Sequence, residues 1–177
     1  MSFNVQERYG PEPFTALSHP ITKMVGTFNW KGTIWPNDDD LAFSVDSEGT
    51  AQVELAADGR FIEMKWEGDA SGERWSGAHA FGYDSGTAYK AGESTKRGVK
   101  EVFYNRFGNF GSGSGEHDGE GSVLEFEGTT HECGRGIEKY RTIFKVISDN
   151  EFTLEVHMTS GVTKEESKAR HLHFTRV

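Results

Sequence analysis

Hydrophobic and polar positions alternate with a period of two along most of the chain. Residues 26–35, for example, place Phe28, Trp30 and Ile34 on one side and polar residues on the other. Such alternation is typical of β-strands with one buried face. Strand-like patterns also occupy residues 50–56, 60–67, 74–83, 99–107, 122–127, 137–147, 151–158 and 168–177. With its turn-rich connections, the sequence predicts about nine or ten strands.

Helical signal is confined to residues 12–24, where the prolines allow no more than a short helix. A long antiparallel meander tends to close into a barrel, because closure removes exposed strand edges. We therefore predict an all-β fold, a single closed antiparallel β-barrel of about eight to ten strands with a short N-terminal cap. Residues 1–177 are expected to form one domain, with residues 1–14 as an N-terminal arm.

Composition and charge narrow the range of partners. The formal net charge is −9, so a nucleic-acid partner, which needs cationic contacts, is not expected. The single cysteine, Cys133, cannot form an intrachain disulfide. The first residues lack the pattern of a signal peptide, and no run of about 18 apolar residues suggests a membrane span. A cytoplasmic location without membrane contact is expected, and a homodimer is left open.

A glycine-rich run and a group of metal-ligand residue types are also present, and neither predicts a binding site. The glycine-rich run at residues 108–121 lacks the Gly-Lys-Ser/Thr of a phosphate loop, so we interpret it as a bent strand or, preferably, a flexible loop at the barrel mouth. His117, His131 and Cys133 are metal-ligand types, but a fourth ligand for zinc is missing. No metal site is predicted.

The supply of aromatic residues suggests a ligand cavity. An interior of about eight to ten strands has room for one small molecule, and aromatic rings form walls for planar ligands. We predict binding of a small apolar or aromatic molecule inside the barrel. The alternative, that the rings only fill the interior, stays open. The predicted ligand-binding residues are Phe28, Trp30, Trp66, Trp75, Phe81, Tyr83, Phe103, Phe144 and His173.

A second hypothesis is a cofactor-independent lyase or isomerase that acts on an aromatic molecule. An imidazole would serve as the base, a tyrosine as the acid, and Arg141 as the partner of a developing oxyanion. The candidate catalytic residues are His79, Tyr104, Tyr140, Arg141 and His171. Which faces of the strands point inward stays open. His171 and His173 share one face of the last strand, opposite Leu172 and Phe174.

Short motifs across the chain resemble a known family. They occupy residues 19–32, 57–63, 77–84, 124–128, 140–144 and 174–176, and include Phe81-Gly82-Tyr83-Asp84. Together they resemble the bacterial domain-of-unknown-function 1579 family. The resemblance implies a calycin-like barrel, similar to lipocalins and fatty-acid-binding proteins. That family has no established common activity, so it implies no catalytic residues.

The C-terminal segment suggests a third function. Residues 153–158 followed by His171-Leu172-His173 are similar to the end of the nitrobindins, small barrels that hold ferric haem through a histidine on the last strand. This likeness implies that His171 would be the axial ligand of haem. No other cofactor is expected.

Overall fold

The computed structural model describes residues 20–35, 43–57, 59, 61–83, 97–117, 122–132, 136–159 and 164–177. A short 3₁₀ helix, Pro20–Met24, precedes ten strands. The strands are β1 (Gly26–Ile34), β2 (Val45–Ala56), β3 (Phe61–Ala70), β4 (Glu73–Tyr83), β5 (Arg97–Asn105), β6 (Phe110–His117), β7 (Val123–Glu132), β8 (Gly136–Val146), β9 (Glu151–Thr159) and β10 (Glu166–Arg176). The predicted all-β class is confirmed.

The ten strands form one closed antiparallel barrel. Each strand pairs with its neighbours along the chain, and β1 also pairs with β10, with Trp30 opposite Phe174 and Ile34 opposite Arg170. A meander needs only short connections, which agrees with the hairpin-sized turns in the sequence. The predicted closed barrel is therefore confirmed. The proposed arm at residues 1–14 lies outside the described residues.

Aromatic rings fill the end of the barrel where β1 begins and β10 ends. Phe152 and Phe174 stack with their ring centroids 4.3 Å apart, and the edge of Phe28 meets Phe152 at 4.9 Å. A neighbouring group brings Phe81 within 5.1 Å of Phe144. All five rings are buried. Such offset and edge-on contacts add to the stabilisation from burial alone.

The 3₁₀ helix and Arg176 cover the same end. Ile21 and Met24 of the helix are buried against the aromatic core. The Arg176 guanidinium donates hydrogen bonds to the carbonyl oxygens of Val25 (2.8 Å) and Lys23 (2.6 Å). It also lies 4.7 Å from the centroid of the Phe28 ring. These contacts tie the last strand to the chain before β1 and close this end of the barrel.

Residues 110–117 of the glycine-rich run are not a mouth loop, and for these residues that part of our interpretation is wrong. Residues 110–117 form the regular strand β6, paired with β5 and β7. Its glycines make room for rings from other strands. A Cβ at Gly111 would lie 2.4 Å from the Phe103 ring, and one at Gly113 would lie 2.7 Å from the Tyr140 hydroxyl. Side chains here would displace both rings.

Candidate functional site

The opposite end of the barrel holds a cavity of about 490 Å³. This volume falls within the range of small-molecule sites, which is about 300–1,000 Å³. Apolar walls come from Ile34, Trp35, Trp75, Phe107, Val156 and Met158. Charged groups at the wall are Glu73, Glu132, Glu138 and Arg170. We call this cavity the mouth.

Arg170 reaches the mouth because it is in phase with Leu172 and Phe174, which occupy the inner face of β10. The register with β9 shifts between Lys168 and Arg170, and this shift leaves Ala169 buried as well. Its guanidinium carbon lies 5.3 Å from the centroid of the Trp75 ring, a cation–π contact. Burial lowers the pKa of Arg170, and the charge of Glu132 opposes this effect. A guanidinium remains protonated in proteins, so the mouth contains a fixed cation.

The rim of the mouth is fixed by the turn between β5 and β6. The Asn105 side-chain oxygen accepts hydrogen bonds from the backbone N–H groups of Phe107 (3.0 Å) and Asn109 (3.2 Å). The Asn109 side-chain amide in turn donates to Glu132, whose other oxygen accepts from the Thr130 hydroxyl at 3.2 Å. These bonds hold the Phe107 wall and the Glu132 carboxylate in place.

A polar cluster of His79, Glu101 and Tyr140 lies deeper in the barrel. The His79 and Glu101 side chains are 5% and 0% exposed, and Nδ1 of His79 is 3.5 Å from Oε2 of Glu101. The Phe103 ring stacks on the imidazole with the ring centroids 5.4 Å apart. It also packs edge-on against the Tyr140 ring, with the centroids 5.0 Å apart. Burial and the adjacent Glu101 carboxylate raise the pKa of Tyr140, so its hydroxyl stays protonated.

The cluster lacks complete hydrogen bonding. Within the part of the chain that the structure describes, well-formed hydrogen bonds are missing at His79 Nδ1, both Glu101 oxygens and the Tyr140 hydroxyl. The same holds for Trp66 Nε1 and Thr142 Oγ1. Buried polar atoms are normally paired, so a group of unpaired ones in one interior calls for an explanation.

Most of the predicted aromatic residues do face the interior, in two different roles. Phe28, Trp30, Phe81 and Phe144 are buried and belong to the packed core. Trp66, Trp75 and Phe103 are only partly buried, and Trp75 lines the mouth. Tyr83 ends β4, but its side chain lies outside the described part. Four of these aromatic side chains therefore fill the interior, and Trp75 borders the cavity at the mouth.

Tyr104 and Arg141 lie outside the barrel, so their predicted place among interior groups is wrong. Tyr104 is 57% exposed, because Phe103 and Glu101 occupy the inner face of the same strand. Arg141 donates hydrogen bonds to Glu125 (3.0 Å) and to Glu166 across the outer surface. These bonds raise the pKa of Arg141 and occupy its guanidinium.

His171 and His173 also point outward, which corrects both of their predicted roles. Leu172 and Phe174 take the inner face of β10, since burying them removes apolar surface from water. The His171 side chain is 43% exposed, with Nδ1 at 3.1 Å from Glu155 Oε1. The His173 side chain is 47% exposed. His171 therefore does not face a haem inside the barrel, and His173 does not line the ligand cavity.

Glu101 and Arg170 are interior groups that our sequence analysis did not single out. The strand phase contains the signal that would have found them. Glu101 is in phase with Val99 and Phe103 on β5, and Arg170 is in phase with Phe174 on β10. A charged residue in phase with buried apolar ones is a candidate for an interior site.

Neither a metal site nor a membrane-spanning helix is found in the described ranges. Among them, no three or more His, Cys, Asp or Glu side chains are placed to hold a metal ion. Cys133 and the His117 side chain lie outside those ranges. No described helix has the length and apolar character needed to cross a membrane.

The fold and the site together define a class, a closed ten-stranded antiparallel barrel with a cavity at one end and a buried polar cluster below it. The chain belongs to the family described as "Protein of unknown function (DUF1579)", which it matches over residues 18–176. The resemblance drawn from the sequence motifs is thereby confirmed. No curated protein matches the chain.

Two solved structures are similar to this barrel. One is the crystal structure of Rv2717c from M. tuberculosis, with a TM-score of 0.66 and 12% identity over 94% of this chain and 99% of that chain. The other is the S-type phycobiliprotein lyase CPES from Guillardia theta, with a TM-score of 0.57 and 12% identity over 99% of this chain and 98% of that chain. At this identity the likeness concerns the fold.

Proposed function

We propose that the protein binds a small, planar, largely apolar molecule at the mouth of its barrel. The observation that carries the proposal is the mouth itself, a cavity of about 490 Å³ between the rings of Trp35, Trp75 and Phe107. Aromatic walls with a few polar groups are typical of small-molecule sites. The closed end of the barrel, by contrast, is filled by its own rings.

The charges at the mouth favour a neutral ligand over an anion. Three glutamates and one arginine line the cavity, and the whole chain carries a formal net charge of −9. An anionic ligand would meet this excess of negative charge. The Arg170 guanidinium can still donate hydrogen bonds to a carbonyl or hydroxyl oxygen of a neutral molecule. A neutral aromatic compound with one oxygen acceptor fits both features.

Arg170 and Arg141 form a matched pair for testing this proposal. Tryptophan fluorescence would be followed during titration with phenylacetone, naphthol and decanoate. We expect saturable quenching by the two aromatic compounds and a weaker response to the decanoate anion. Arg170→Gln should weaken the binding of phenylacetone about tenfold, because a hydrogen bond from a charged group is lost.

Arg141→Gln removes the same charge from the outer surface and should leave the affinity unchanged. If no compound gives a saturable response, the mouth is not a binding site. If both arginine variants weaken binding equally, the effect belongs to net charge and Arg170 does not contact the ligand.

A further inference from the structure

A narrow interior cavity lies between His79 and the mouth and shares part of its wall with the mouth. Its volume is about 10 Å³, which is room for about one water molecule. Ile34, Trp75 and Arg170 line both this cavity and the mouth, whereas Trp66 and His79 line only the inner one. A molecule bound in the mouth would therefore have its inner edge facing Arg170 and, beyond it, the imidazole of His79.

Glu101 stands behind the imidazole. Nδ1 of His79 faces Glu101 Oε2 at 3.5 Å, which leaves Nε2, on the other side of the ring, for the cavity. A carboxylate that faces Nδ1 favours the tautomer with the proton on Nδ1, which leaves Nε2 free to take a proton. Phe103 stacks on the ring and Phe144 meets it edge-on at 5.8 Å, so the orientation of the imidazole is fixed.

The burial of this pair is difficult to explain by stability alone. A buried ion pair is seldom more stabilising than apolar residues of the same volume, and its desolvation cost is high. Here neither Glu101 oxygen nor His79 Nδ1 has a complete hydrogen bond among the described residues. Buried titratable groups of this kind beside a cavity are candidates for a proton-transfer site.

We propose that His79 is a general base that moves a proton on an enolisable aromatic carbonyl compound bound at the mouth. His79 Nε2 takes a proton, through one water in the narrow cavity, from the carbon between the aromatic ring and the carbonyl group. The C–H electron pair forms the C=C bond of the enolate, and the carbonyl π pair moves onto oxygen. The His79 imidazolium then returns the proton to carbon or to oxygen. Electrons and atoms balance without an oxidant or a co-reactant.

Arg170 stabilises the charge that develops on the oxygen. It is the cation that lines both cavities, and its contact with Trp75 holds the guanidinium against the apolar wall. A preorganised cation near a developing oxyanion is worth more in a water-excluded site than in bulk solvent. Arg170 therefore takes the role that the sequence analysis assigned to Arg141.

Glu101 and Tyr140 are positioning residues in this scheme. Glu101 orients His79, and the protonated Tyr140 hydroxyl lies next to Glu101, where Gly113 leaves space for it. Neither residue needs to touch the substrate. The proposal rests on the proposed function, since the substrate must first bind at the mouth.

Exchange of hydrogen with solvent tests the proposal. Phenylacetone would be incubated with the protein in deuterated water, and loss of its benzylic proton signal followed by NMR, with binding measured separately by tryptophan fluorescence. We expect saturable exchange above the rate without protein. His79→Gln should lower it at least about a hundredfold. The matched control His171→Gln, on the outer surface, should leave it unchanged.

Further variants separate base, positioning and binding. Glu101→Gln should lower kcat without raising KM, and Glu101→Asp should recover part of the loss. If His79→Gln fails to fold by circular dichroism, Arg170→Gln should still lower the exchange rate about tenfold or more at saturating phenylacetone, where its weaker binding does not contribute. Saturable binding without exchange, or equal exchange by wild type and His79→Gln, would overturn the proton transfer and leave the binding site intact. Absence of binding would overturn both proposals.

Discussion

Replacing Phe174 by alanine is expected to lower the free energy of unfolding by about 3–5 kcal/mol, the usual cost of truncating a buried phenylalanine. Phe174 is 1% exposed. Its ring stacks on Phe152 with the ring centroids 4.3 Å apart, and it lies next to Trp30 with the ring centroids 6.5 Å apart. Because it lies on β10, which closes the barrel against β1, its loss leaves a cavity at the junction of three strands. Urea denaturation followed by circular dichroism measures the change.

Thr175→Ala supplies the control on the same strand. Thr175 is exposed on the outer face, so its replacement should change stability by less than about 0.5 kcal/mol. Similar losses for both variants would mean that Phe174 is not part of a packed core. The barrel would then be open at the end that we describe as closed.

Replacing His79 by leucine and Glu101 by methionine together is expected to stabilise the protein by roughly 1–3 kcal/mol and to abolish proton exchange. The Glu101 side chain is 0% exposed and lies beside His79 and Tyr140. The two apolar side chains remove the desolvation cost of the pair and fill a similar space. Thermal and urea denaturation, run beside the exchange assay, measure both effects.

The sign of this change distinguishes a functional from a structural carboxylate. A protein that retains a destabilising group at its site gains stability when the group is removed and loses activity. Glu127→Met, at an exposed outer position next to Phe126, is the control and should change stability little. If the double variant His79→Leu/Glu101→Met is less stable than the wild type, the His79–Glu101 pair holds the core together and has a structural role.

The barrel was predictable because its strands bury one face. On β9, Phe152, Leu154 and Val156 alternate with polar residues, and all three are buried in the structure. Strand β6 was not predictable in this way. Its inner positions are glycines, which carry no side chain to show the alternation. The reason for those glycines lies on other strands, in the rings of Phe103 and Tyr140, which the local sequence does not reveal.

The candidate site was predictable only in part. His79 and Tyr140 were singled out by residue type and do lie inside the barrel, joined by Glu101. Tyr104 and His171 were singled out for the same reason and lie outside. The residue type shows which reactive group a side chain carries. Whether that side chain points into the barrel depends on the face of the strand on which it lies. The inward face is the one whose burial removes more apolar surface from water.

The bulge on β10 shows a further limit. A strand with strict alternation would not place both Ala169 and Arg170 toward the interior, yet the register shift between Lys168 and Arg170 does so. Bulges re-aim side chains and are common near functional sites. The sequence of β10 contains no glycine or proline from which the bulge could have been predicted.

The central claim is that the mouth binds a small molecule, and mapping the bound ligand by NMR tests it most directly. Heteronuclear spectra of the backbone and arginine side chains would be followed during titration with phenylacetone, naphthol or decanoate, whichever binds most tightly. We predict saturable shift changes at Trp75, Phe107 and Arg170, with Met24 at the closed end and Arg141 on the outer surface unchanged. Saturable changes confined to the closed end or the outer surface, or none with any compound, would contradict the account.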